Sequence, residues 1–113
     1  MAVPFSRVLD GAAEFIEKDI MPSMNDWQEI AARIAIGRLY ENQQSVLTFL
    51  QNNGIVRAFG VIDSEGDVDI DRLCTDLKRE IQKKKKIQVA IPGFGKMSFD
   101  ASDVDKLYNY MKE

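Results

Sequence analysis

From Asp26 to Asn52 the sequence contains no proline and a single glycine, Gly37. Trp27, Ile30, Ile34, Leu39, Tyr40, Val46, Leu47 and Leu50, with Ile36 and Phe49 beside them, recur at helical intervals and cover more than one face. An unbroken helix of that length would reach about 40 Å. A compact domain of 113 residues has a radius of gyration of about 13 Å and a diameter of about 35 Å. The helix must therefore break, with Gly37 the marked place, or project and bury its surplus apolar surface elsewhere. Ala31, Ala32, Ala35 and Gly37 would let a neighbouring helix approach closely.

The flanking segments are shorter and better defined. Pro4 suits the first turn of a helix, and Phe5, Val8, Leu9, Ala12, Ile16 and Ile20 form one apolar stripe after it. Pro22 disfavours helix at Met21, so that element should stop there. Asp26-Trp27-Gln28-Glu29 has the spacing of a capping box that opens the long helix. Glu29 and Arg33 are placed to pair one turn apart.

Ile55 to Ile62 fits either a strand or a short helix, with its β-branched residues and Gly60 favouring a strand; Asp63 to Asp67 reads as a polar turn, and Val68 to Ile70 as a short return strand. Asp71 could then cap a helix carrying Leu73, Cys74, Leu77 and Ile81 on one stripe. Ile87, Val89 and Ile91 alternate with polar or small residues, as do Met97 and Phe99, around the turn Pro92-Gly93-Phe94-Gly95. A last helix starts near Ser102 and places Val104, Leu107, Tyr108 and Met111 on its inner face. The expectation is a single α+β domain over 1–113, with four helices and one or two β-hairpins forming a small antiparallel sheet. Its helical part covers 1–52, and a hairpin-helix-hairpin-helix part covers 53–113.

The chemistry-bearing residues are sparse. There is no histidine, which removes the usual neutral-pH base and the commonest nitrogen ligand for metals. Cys74 is the only cysteine, so no disulfide can form within the chain, and its place on an apolar stripe reads as packing. Counted from Asp63, the acidic turn matches part of a calcium-binding loop, but Val68 stands where that loop needs glycine and Cys74 where it needs a bidentate glutamate. Gly93-Phe94-Gly95 lacks the third glycine of a dinucleotide fingerprint. No catalytic residue, cofactor or metal is therefore expected, and a metal-dependent enzyme using the Asp63–Asp71 acids ranks last.

Two surface features remain as interaction candidates. Lys83, Lys84, Lys85 and Lys86 could contact phosphate groups, although they also complement the negative end of the helix before them. The net charge of −3 and the lack of interleaved aromatic residues weigh against a nucleic-acid stripe. Phe94 at a hairpin tip, and Trp27, Ile34 and Ala35 on the long helix, could instead meet a protein. The leading expectation is a non-catalytic interaction or assembly module that pairs with itself as a homodimer or with another protein. A nucleic-acid or phosphate-binding module using the lysine run is the alternative. The amino-terminal MAVPFSRVLDGAAEF lacks a secretory pattern, and no stretch approaches the roughly 20 apolar residues that span a bilayer, so a cytoplasmic location is expected.

The run Ile91-Pro92-Gly93-Phe94-Gly95-Lys96-Met97-Ser98-Phe99, followed by Asp103-Val104-Asp105-Lys106-Leu107-Tyr108, resembles segments of small uncharacterised proteins of bacteria and their prophages. The resemblance is confined to this carboxy-terminal stretch and brings no site residues. It implies an accessory or assembly role of phage origin.

Overall fold

Pro4 has φ −59° and ψ 152°, extended backbone that joins a strand, β1 (Ala2–Pro4), to the first helix, α1 (Phe5–Phe15). These coordinates come from a computed structural model, which describes residues 1–54, 61–84, 87–91 and 95–112. The strand β1 pairs antiparallel with β2 (Asp67–Asp69), with Val3 opposite Val68. On its other edge Val68 makes a single bridge to Ile62. Three residues are too few to show an alternating pattern, so β1 was not legible in the sequence.

The polar turn lies where expected. Asp63 N–H donates to Asp67 O at 3.0 Å and Gly66 N–H to Asp63 O at 3.2 Å. Gly66 has φ +86°, a conformation that favours glycine, and a Cβ there would lie 2.9 Å from Leu47 Cδ2, so the Leu47 side chain would also have to shift. The expected strand before this turn falls largely on residues 55–60, outside the described residues.

After α1 the chain adds one wide π turn, Ile16–Ile20, and a 3₁₀ turn, Met21–Ser23, at Pro22. Ile20, at the end of the π turn, is buried beside Phe15. The second helix, α2 (Asp26–Glu41), is capped by Asn25 rather than by Asp26. Asn25 Oδ1 accepts from Gln28 N–H at 2.9 Å, and Gln28 Oε1 accepts from Asn25 N–H at 3.0 Å.

The break in the long helical segment falls at Asn42, not Gly37. Asn42 has φ −102° and ψ 19°, and its side-chain amide donates to Arg38 O at 2.9 Å before α3 (Gln43–Asn52) resumes. A glycine inside a helix costs only about 1 kcal/mol, whereas asparagine can bind its own helix terminus and end it. The expectation of four helices is corrected accordingly: the described residues contain five α-helices.

The fourth helix, α4 (Ile70–Lys84), is capped by Asp69 Oδ1 on Arg72 N–H at 3.1 Å, so Asp71 lies inside its first turn. The strands β3 (Ile87–Ile91) and β4 (Gly95–Phe99) form an antiparallel hairpin, with Ile87 opposite Phe99. The last helix, α5 (Ala101–Lys112), is opened by Asp100, not Ser102. Asp100 and Asp103 each accept from the other's N–H, at 3.1 and 3.0 Å. The hydroxyl of Ser102, and then the N–H of Asp103, hold the Asp100 carboxyl below the usual carboxylate range. The α+β class is as expected, and among the described residues the strands form two separate antiparallel pairs rather than one sheet.

The core joins the two ends of the chain. Val3, Phe5, Val68, Ile70, Cys74, Ile81, Val104 and Met111 form one buried cluster, with Ile70, Val104 and Met111 wholly inaccessible. A second cluster places Phe15 edge-on to Phe99, with ring centroids 5.5 Å apart, beside Ile20. At the crossing of α1 and α5, a Cβ on Gly11 would lie 2.5 Å from Met111 Cγ and 2.9 Å from the Met111 backbone.

Gly11→Ala is expected to destabilise the protein by about 1–3 kcal/mol, the usual cost of overpacking a core. Helix propensity alone predicts a gain of up to about 1 kcal/mol from the same change. The sign of the shift in a urea melt therefore decides whether the α1–α5 approach is as close as described.

Candidate functional site

Of the residues of α2, only Ala32 is buried. The helix is held at its edges by polar contacts to the first helical segment. Arg33 pairs with Glu29 at 2.9 Å, the expected one-turn pair, and also reaches Glu17 at 3.8 Å. Tyr40 Oη donates to Asp10 Oδ1 at 2.5 Å. Partial burial, and then this hydrogen bond, push the Tyr40 hydroxyl pKa up to about 12.

The opposite face is apolar and open. Trp27 is 81% exposed, and Ile30 and Ile34 are each 53% exposed. With Gly37 they follow alternating steps of three and four, which places all four along one stripe. Nothing lies within 4 Å of a Cβ built on Gly37, so that position is an open notch in the helix surface. Ala35 lies off the stripe and is half-buried. On α3, Phe49 is exposed as well, while Val46, Leu47 and Leu50 pack against the core.

Trp27 and Ile34 thus lie together as expected, whereas Ala35 does not share their face. Met21, six residues before Trp27, is buried in the core. Ile30 joins Trp27 and Ile34 as a candidate contact residue that its place among the apolar positions had not singled out, and Gly37, expected to permit close approach of a neighbouring helix, lies on the same stripe. Their three-and-four spacing was present in the sequence, but the inward face of α2, around Ala32, was set only by packing.

The remaining candidates are dispersed. Lys83 and Lys84 occupy the last turn of α4, where Lys83 Nζ lies 3.7 Å from Glu80 Oε1. Lys85, Lys86 and Phe94 lie outside the described residues. In the acidic turn, Asp63 Oδ1 accepts from the N–H groups of Glu65 and Asp67, both at 2.9 Å, so this oxygen serves the turn itself. Among the described residues no group of three histidine, cysteine, aspartate or glutamate side chains could hold a metal ion.

One polar cleft, of about 250 Å³, lies between α4 and α5 and is lined by Asp71, Cys74, Thr75, Lys78, Asp105 and Tyr108. Its charged groups are already engaged with one another. Lys78 pairs with Asp105 at 2.5 Å, and Asp71 accepts from Tyr108 Oη at 2.6 Å and from the amino group of Met1. That amino group, followed by Tyr108, holds the Asp71 carboxyl below the usual range. Burial pushes the Cys74 thiol up to about 11, so it is protonated at neutral pH and a poor nucleophile.

Comparison of the chain with protein-family models, with curated proteins and with solved structures finds no match. The functional reading therefore rests on the geometry of α2.

Calcium binding and thiol access are each open to measurement. Millimolar calcium is expected to leave the thermal midpoint unchanged, because the Asp63 oxygen is used by the turn. A rise of several degrees that Asp63→Asn abolishes would make the turn a metal site. Cys74 is expected to react with a thiol-specific disulfide reagent only after denaturant is added. Rapid labelling of the native protein would show that the thiol is neither buried nor held in its protonated form.

Proposed function

We propose that this chain is a non-catalytic protein–protein interaction module whose docking face is the Trp27–Ile30–Ile34 stripe of α2. The observation that carries this reading is the outward placement of three large apolar side chains on one helix face. Soluble monomers seldom expose contiguous apolar surface without a partner for it, whereas isolated exposed apolar residues are common. An amphipathic helix presenting anchors at intervals of three and four residues is a recurrent means of docking. No helix among the described residues is long and apolar enough to cross a membrane, so a transmembrane span does not account for the stripe.

The reading is tested with immobilised protein in native lysate, comparing the wild type with Ile34→Glu. Ile34 is more than half exposed, so the substitution should move stability by no more than about 0.5 kcal/mol. Loss of the retained proteins at unchanged thermal midpoint is expected. Identical retention by both proteins, together with the same light-scattering mass for both across a concentration series, would remove the α2 face as the docking surface.

A further inference from the structure

We infer that the occupant of the α2 face is a second copy of the chain, packed antiparallel about a two-fold axis that crosses the seam between Ile30 and Ile34. This rests on the reading that the stripe is the docking face, and it adds the partner, orientation and register.

The stripe is complementary to itself in only one of the two orientations. Trp27, Ile30, Ile34 and Gly37 occupy successive seam positions of a heptad pattern. Antiparallel pairing brings Trp27 of one copy level with Gly37 of the other, and Ile30 level with Ile34. The exposed indole then enters the notch left by a residue with no side chain. Parallel pairing would stack indole on indole at one end and glycine on glycine at the other. That arrangement leaves excess volume in one layer and a void in another, both costly at a packed interface.

Charge favours the same arrangement. The first turn of α2 carries Asp26 and Glu29, and its last turn carries Arg38. Asp26 and Arg38 make no side-chain hydrogen bond or ion pair among the described residues. The register that matches Trp27 with Gly37 also sets Asp26 of one copy level with Arg38 of the other, at both ends of the seam. Antiparallel pairing thus sets the acidic first turn of each α2 beside the basic last turn of the other, the arrangement that the two helix dipoles also favour. A parallel pair would bring like charges and like helix ends together.

The size of the seam sets the strength of the association. A helix of 16 residues is about 24 Å long. Its seam offers one indole and two isoleucines, less than the roughly 800 Å² per partner of a standard interface. The dimer is accordingly weak and exchanging, and it forms and dissociates with concentration.

Trp27 is the only tryptophan, so its emission reports on the seam directly. With rising concentration of the full chain, the light-scattering mass should double while Trp27 emission moves to shorter wavelength over the same range. Gly37→Leu fills the notch in open space and should weaken dimerisation on the order of tenfold, while the thermal midpoint does not fall and rises with the helix propensity gained. Orientation is read by mixing Trp27→Cys with Gly37→Cys under mild oxidation. The mixture should give a cross-linked heterodimer, while each variant alone should not cross-link. Cross-linking of either variant with itself would overturn the antiparallel register. A monomer mass at high micromolar concentration with unshifted Trp27 emission would overturn self-association. The docking reading would survive that result if Ile34→Glu still released foreign proteins from the immobilised chain.

Discussion

The close approach of α1 to α5 at Gly11 is the constraint on which the rest of the arrangement depends. The Met111 backbone occupies the space that a side chain at Gly11 would need, and Arg7 Nε donates to Met111 O at 3.2 Å. This contact fixes the last helix to the first. It brings Met111 and Val104 against Ile70, Phe5 and Val3, so residues from both ends of the chain close one core. The β1–β2 pair works in the same direction, tying Val3 to Val68 beside the start of α4. A β-carbon at Gly11 would hold the two backbones apart and open this cluster along its length.

With α1 engaged by α5 and the core closed by α4, α2 is left at the periphery. It contributes Ala32 to the interior and is otherwise held by exposed polar contacts through Arg33 and Tyr40. Exposed ion pairs contribute little, typically below about 1 kcal/mol each. They orient α2 without drawing its large apolar residues inward. The surplus hydrophobicity of the segment therefore faces outward as Trp27, Ile30 and Ile34, and that outward stripe is the physical basis of the interaction reading.

The sequence is ambiguous chiefly where several residues can do the same job. Each helix start offers neighbouring acids or amides, and any of them can accept a hydrogen bond from a free N–H. Asn25, Asp69 and Asp100 proved to be the caps, each close to the residue that spacing alone had marked. Gly37 was the natural candidate for a helix break, yet it remains helical because its cost is modest and the turns beside it are intact. Asn42 ends the helix instead because its side chain satisfies a carbonyl of the last turn. The π turn at Ile16–Ile20 left no mark in the pattern of apolar residues, since Ile16 and Ile20 suit an ordinary helix equally well.

By itself the sequence determined the local elements. The periodic stripes of α1, α4 and α5, the polar turn before β2 and the β3–β4 hairpin all follow from intervals of three, four or two and from turn residues. It also determined that α2 has more apolar surface than one face can hold. Which part of that surface would stay outside was decided by tertiary structure. Periodicity records that residues share a face but not what that face meets, and the direction of α2 depends on contacts with residues distant in sequence. Ala32 is buried and Trp27 exposed in an orientation in which Glu17 and Asp10, on the first helical segment, meet the edges of α2.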